Sequence, residues 1–220
     1  MSRYAISDIH GCIKTFKALL KKLNFKKEDK LFLLGDYIDN GPDSRGVIDH
    51  IWKLQNEGFS LNCLRGNHEQ MLLDDISKSC ELYKGESATL ASFEVNQNID
   101  IPKKYIEWMR RLEYYFELDD YILVHAGLNF LRKDPLADLK EMVWVRGWYD
   151  QINRDWLEKR IIVHGHTPTK KTVIKNNLKI LEHLPVIDID AGCFSRIEGL
   201  GNLCALNLDS KELTFHPNLD

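Results

Sequence analysis

Short apolar runs alternate with amphipathic stretches over the first third of the chain. Residues 3–7, 30–34 and 60–64 have strand length, and each runs into a polar cluster. Between the first two, Phe16, Leu19, Leu20 and Leu23 recur at helical spacing, while Lys14, Lys17, Lys21 and Lys22 fall on the other face. Over residues 44–57, Val47, Ile48, Ile51 and Leu54 repeat the pattern, with Ser44 as the expected N-cap. Strand, helix, strand, helix, strand predicts a parallel sheet covered by helices.

The pattern changes over residues 70–117. Met71, Leu72, Leu73 and Ile76, then Ile106, Met109 and Leu112, read as helix faces, so this stretch is expected to be a helical insertion. Strand runs return at residues 121–124 and 161–163. The last part reads as antiparallel. Residues 172–175 and 178–181 flank Asn176-Asn177, a tight-turn pair, and residues 203–208 and 212–215 flank Asp209-Ser210. A mixed sheet, or two stacked sheets, fits this order.

Composition narrows the class. The 220 residues allow one large domain or two small ones. The net charge of −3 argues against a stable nucleic-acid partner, which usually leaves a basic footprint, but admits a small nucleotide as substrate. The longest apolar runs, such as Ile161-Ile162-Val163, fall far short of the roughly 20 residues of a membrane span, so no membrane partner is expected. The N-terminus lacks the pattern of a secretory signal. The five cysteines are odd in number and form no Cys-x-x-Cys, so the expected location is a reducing cytoplasm.

Five strand-like runs end in metal-capable side chains. Asp8 and His10 follow the first, Asp36 and Asp39 the second, and Asn67 and His68 the third; His125 and His166 follow the later two. In open α/β sheets the carboxyl ends of strands line the ligand crevice. Carboxylate, amide oxygen and imidazole together suit Mn, Fe or Zn better than Ca. An aspartate at a strand end is more often a turn or cap, and a single histidine is more often structural. Turn chemistry alone does not require imidazoles at three separate strand ends, each beside Gly66, Gly127 or Gly165.

Asp8-Ile-His10-Gly11, Gly35-Asp36-Tyr-Ile-Asp39-Asn40-Gly41, Gly66-Asn67-His68-Glu69, His125-Ala-Gly127 and Gly165-His166-Thr167 together resemble the ordered signature of calcineurin-like metallophosphoesterases. The resemblance runs most nearly to the bacterial and phage PPP branch, which holds lambda-type serine/threonine protein phosphatases and symmetrical dinucleoside tetraphosphatases. It implies a four-layer α/β (α+β) fold, a mixed β-sheet sandwich flanked by helices. Because the motifs span residues 8–192 and must converge on one site, residues 1–220 are expected to form one domain.

The resemblance also implies two metal ions. Asp8, His10 and Asp36 would hold one; Asp36, Asn67, His125 and His166 would hold the other, with Asp36 bridging. A shared hydroxide would attack phosphorus in line. His68 would protonate the leaving group, oriented by Asp39. Glu69 is expected to be a first-turn helix residue that suits the helix dipole, and Asp190 to support the ligands. The family motif carries Arg where this chain has Asn40. Arg45 is expected to replace that cation in part, and Arg146, in Trp144-Val145-Arg146, to clamp the phosphate. The activity implied is hydrolysis of phosphate monoesters, with a phosphorylated protein or peptide as partner. The alternative is a symmetrical dinucleoside tetraphosphatase acting on a small nucleotide, and a third possibility, resting only on Asn40, is an inactive scaffold.

Overall fold

A computed structural model describes residues 1–78 and 87–220. The opening alternation forms β1 (Arg3–Ile6), α1 (Ile13–Lys22), β2 (Lys30–Leu33), α2 (Ser44–Asn56) and β3 (Ser60–Cys63). The three strands pair in parallel, β1 with β2 and β2 with β3. Next come α3 (Asn67–Lys78), α4 (Ser87–Phe93), α5 (Lys103–Arg110) and β4 (Tyr115–Glu117). The second half holds β5 (Tyr121–Val124), α6 (Glu141–Trp144), α7 (Arg154–Leu157), β6 (Ile161–His164), α8 (Lys171–Lys179), β7 (Val186–Asp188), β8 (Asn202–Asn207) and β9 (Leu213–Pro217). Two mixed sheets result, ordered β3-β2-β1-β8-β9 and β4-β5-β6-β7.

Side-chain alternation along the strands builds the layers. Ala5, Phe32, Leu123, Val163 and Ile187 meet in one core between the two sheets. Their neighbours Ile6, Leu31 and Leu33 face the opposite way and pack under α1, α2, α3 and α5. Ile122, Val124, Ile162 and Val186 pack outward against Met142, Trp148 and Leu157. A period of two therefore commits each strand to two cores at once. This is the α/β architecture expected from the sequence, with mixed sheets flanked by helices.

Three local expectations are corrected. Residues 172–181 do not form a hairpin; they lie largely in α8. Ile174 and Leu178, four apart, share one helix face turned to the inter-sheet core, while Thr172, Val173, Lys175 and Asn176 are exposed. The β-branched residues suggested a strand, and packing against β7 overrides that propensity. The stretch 70–117 is helical through α5 but ends in a strand, because Tyr115 and Phe116 extend the second sheet by pairing antiparallel with β5. Residues 79–86 of it, with Cys80, lie outside the described residues. The N-cap of α2 is Asp43, whose carboxylate accepts from Gly46 N at 2.8 Å. Ser44 turns its hydroxyl inward instead.

The other four cysteines are free. No described helix is long and apolar enough to cross a membrane.

α1 begins immediately after the loop carrying His10, and its N-cap residue Cys12 makes no capping hydrogen bond. Asp220 fills that role from the far end of the sequence. Its carboxylate accepts from Lys14 N and Thr15 N, both at 3.0 Å, and from the Thr15 hydroxyl at 2.7 Å. A carboxylate there satisfies orphan N–H groups and the helix dipole together. Asp220→Ala is expected to lower stability by about 1 kcal/mol, measured by urea unfolding, with Asp220→Asn retaining most of it.

Candidate active site

The loops leaving β1, β2, β3, β5 and β6 converge at one end of the two sheets. Six of their chemistry-bearing residues adopt a conformation that L-residues avoid: φ is 52° at Asp8, 46° at His10, 55° at Asp36, 67° at Asp39, 63° at Asn40 and 73° at His166. Asp, Asn and His tolerate this left-handed region best among residues with a Cβ. Gly66 and Gly165 are required for a different reason. A Cβ on Gly66 would strike the Asp36 carboxylate, and one on Gly165 would strike Ser7 and Asp8.

Glu69 holds this backbone in place. Its buried carboxylate accepts from the N–H groups of Tyr37 (2.8 Å), Gly66 (2.9 Å), Asp36 (3.0 Å) and Ile38 (3.3 Å). Burial and the nearby Asp36 push its pKa up to about 7, against the pull of those N–H groups. Glu69 lies in the first turn of α3, as the sequence suggested, and from there it also ties the β2 loop to the β3 loop.

Asp36 sits between two clusters. Its Oδ2 lies 3.5 Å from His10 Nε2 and 3.9 Å from His68 Nε2, and its Oδ1 lies 3.6 Å from His125 Nε2. Asp8 Oδ1 is 4.0 Å from His10 Nε2. On the other side, the Asn67 amide oxygen lies 2.9 Å from His125 Nε2 and 2.7 Å from His166 Nδ1. Two groups able to hold a metal ion follow: His10, Asp36 and His68, and Asp36, His125 and His166.

The donor set fits cations. His125 donates its Nδ1 proton to Leu34 O at 2.8 Å, and burial lowers its basicity, so Nε2 carries a lone pair. That lone pair faces the lone pairs of the Asn67 oxygen, an arrangement that a cation between them turns from repulsive to favourable. His10 similarly turns Nδ1 to Ile38 O at 2.9 Å and leaves Nε2 facing Asp36. The carboxylates say the same. Burial pushes Asp8, Asp188 and Asp190 well above the usual range, and their mutual repulsion adds to it. Burial also raises Asp36, but the imidazoles of His125, His68 and His10 outweigh it and bring it to about 2.

His68 stands apart from the other imidazoles. Its Nδ1 lies 2.7 Å from Asp39 Oδ2, which fixes the proton there and turns Nε2 towards Asp36. Burial lowers its basicity, and Asp36 and Asp39 overcome that and raise it to about 9.

The expected phosphate contacts divide. Arg146 reaches the site, donating to Thr167 Oγ1 at 2.6 Å beside His166, and its charge acts on His125 and His166. Asn40 lies against the ligand ring, its Nδ2 3.1 Å from His10 Nδ1. Arg45 is placed along its own helix. Its guanidinium pairs with Asp49 at 3.6 Å, one turn along α2, and contacts Tyr105. Asp190 accepts from Gly192 N at 2.8 Å and lies in the field of Asp8. Sequence reasoning passed over Ser7, which bonds Asp8, and Phe194, whose ring meets His10 edge-on at 5.0 Å.

A model of the family described as calcineurin-like phosphoesterase matches residues 1–192. The chain belongs to this family. It is 32% identical over 215 residues to a symmetrical bis(5'-nucleosyl)-tetraphosphatase of Pseudomonas syringae, covering 96% of this chain and 68% of that protein. It is 36% identical over 143 residues to the protein of the same name from Wigglesworthia glossinidia, covering 63% of this chain and 48% of that one. A similar solved structure, provisionally assigned as a diadenosine tetraphosphatase, superposes with a TM-score of 0.71 at 19% identity, covering 99% and 94% of the two chains. A yeast protein serine/threonine phosphatase superposes at 0.68 and 16% identity, covering 98% and 79%. The last two likenesses show a shared fold only. Family and site together make the protein a metal-dependent phosphoester hydrolase.

Glu69→Gln tests the clamp. The amide presents an N–H₂ group to backbone donors and leaves at least one of them unpaired in the interior. Stability of the metal-free protein should fall by about 2 kcal/mol in urea unfolding, and manganese affinity should fall with it.

Proposed function

We propose that this protein hydrolyses symmetrical dinucleoside tetraphosphates at the central anhydride, releasing two nucleoside diphosphates, with two metal ions drawn from Mn, Fe or Zn. The observation that carries the chemistry is Asp36, with one carboxylate oxygen turned to each ligand cluster. The substrate class rests on relatives of that name, one of them matched along 96% of this chain. The expected partner is a small phosphorylated nucleotide. We read residues 1–220 as one functional unit, because the ligands come from both sheets, and the free buried thiols accord with a reducing cytoplasm.

In this reading Asp8, His10 and Asp36 would hold one ion, and Asp36, Asn67, His125 and His166 the second. Bound there, the pair would supply Lewis acidity that activates water near neutral pH and offsets charge on the phosphoryl oxygens. Arg146 binds and orients the phosphoryl group with its guanidinium. His68 delivers a proton from Nε2 to the departing bridging oxygen, and Asp39 keeps the second ring proton on Nδ1. Asn40 supplies hydrogen-bond capacity but no charge, so the clamp rests on Arg146.

One observation favours a second reading, hydrolysis of phosphate monoesters, including phosphoserine or phosphothreonine in a peptide. A serine or threonine alkoxide needs a proton far more than a nucleoside diphosphate does, and the buried Asp39–His68 pair is a dedicated donor.

Diadenosine tetraphosphate and a phosphoserine peptide, assayed side by side with manganese, separate the two. We expect ADP as the sole nucleotide product and a higher kcat/KM on the dinucleotide. Release of ATP with AMP, or faster turnover of the peptide, rejects the first reading. Chelation should abolish activity and manganese restore it, while Asp36→Asn should lower turnover at least about 10³-fold, about 4 kcal/mol of barrier.

A further inference from the structure

Asp39 is 1% exposed, so both of its carboxylate oxygens, removed from water, need donors. His68 Nδ1 engages Oδ2 at 2.7 Å. The other oxygen is met from outside every motif that identified the site. Thr89, fully buried in α4, places its Oγ1 2.5 Å from Asp39 Oδ1 and 2.9 Å from the Asp39 backbone N. Ser44, at the start of α2, lies 3.0 Å from the same Thr89 oxygen and accepts from Asp39 N at 3.1 Å.

Each hydroxyl has one proton, and this fixes the direction of the chain. A carboxylate only accepts, so Thr89 donates to Asp39 Oδ1. The Ser44–Thr89 contact must then be a donation by Ser44. Asp39 N–H is shared between the two hydroxyl oxygens. The result is an ordered relay of donors, Ser44 to Thr89 to Asp39 Oδ1, with His68 donating to Oδ2 from the other side. The carboxylate is thereby fixed in rotation, and its free orientation about χ2 is lost. Since Asp39 has φ 67°, its backbone is in a region that needs outside support, and the bonds from its N–H supply some of it.

We propose that Thr89 is a positioning residue of the proton-donating pair: its hydroxyl locks the Asp39 carboxylate in the one rotation that holds His68 with Nδ1 protonated and Nε2 facing Asp36. The role attaches the insertion to the chemistry, because α4 contributes nothing else to the ligand clusters described. It rests on the assignment of His68 as proton donor under the proposed function.

The test compares Thr89→Val, which keeps the shape and removes the hydroxyl, with Thr89→Ser, which keeps the hydroxyl. Both are measured on p-nitrophenyl phosphate, whose leaving group departs readily, and on an alkyl phosphate such as phosphoserine peptide, whose leaving group requires a proton. Thr89→Val should lower kcat on the alkyl ester by roughly 10- to 100-fold and on p-nitrophenyl phosphate by less than about 3-fold, with KM changed little in either case. Thr89→Ser should recover most of the loss. In an Asp39→Asn background the Val substitution should add less than about 2-fold, because both changes disable one unit. Equal losses on both esters, a loss not recovered by serine, or additive effects with Asp39→Asn would overturn the proposal.

A readout independent of turnover keeps this separate from the functional reading. In the zinc-loaded protein the Nδ1 proton of His68, hydrogen-bonded to a buried carboxylate, should give a slowly exchanging low-field resonance. It should persist in Thr89→Ser and broaden or vanish in Thr89→Val at a temperature where circular dichroism shows both variants fully folded. An unaltered resonance in Thr89→Val rejects the positioning role even if the wild-type protein hydrolyses none of these substrates. Loss of the resonance in a protein without activity upholds the positioning role and rejects only the functional reading.

Discussion

Buried negative charge is the constraint on which this structure is organised. Asp8, Asp36, Asp188 and Asp190 are each at most 3% exposed, close enough that each acts on at least one of the others. Carboxylates removed from water in such proximity are unfavourable unless cations or donors surround them. Imidazoles at the strand ends meet Asp36, and the His166 backbone N–H and the Ser7 hydroxyl meet Asp8. The glycines beside them are there because a side chain would occupy the space these oxygens need. Metal ions at these candidate groups would complete the compensation, which would make the metal chemistry and the stability of this end of the fold one problem.

The two sheets solve it jointly. Asp8, His10, Asp36, Asn67 and His68 hang from strands of one sheet, and His125 and His166 from strands of the other. The distance between the two sets is fixed by Ala5, Phe32, Leu123, Val163 and Ile187 in the layer between. Close-packed side chains transmit even a methylene's change in volume. The hydrophobic pattern that builds the sandwich therefore also sets the spacing of the ligands.

Much of this was legible in the sequence, for identifiable reasons. Apart from β3, whose Ser60 and Asn62 are polar, the strands leading to the candidate site are largely apolar, so they stand out as runs, and the Asp, Asn and His residues beyond them interrupt those runs at points where burial makes polarity costly. The region 172–181 misled because Thr172, Val173 and Ile180 are exposed and do not decide its structure, which lies with Ile174 and Leu178 on the face that packs into the core beside β7. Glu69 was read by its position in a helix, whereas its role comes from backbone N–H groups some thirty residues earlier in the chain. Thr89 lies fifty residues from the aspartate it supports, in a stretch where no local pattern marks a polar contact. Arg45 is the opposite case: near Asn40 in sequence, it faces Asp49 on its own helix.

The left-handed backbone at six site residues has a consequence for how the protein changes under selection. Glycine adopts that conformation without the steric conflict a Cβ brings, so at Asp8, His10, Asp36, Asp39, Asn40 and His166 the chain keeps a less comfortable residue for the sake of its functional group. A thermostability screen that ignores turnover would find easy gains at these positions and would dismantle the ligand set before touching the sandwich that carries it.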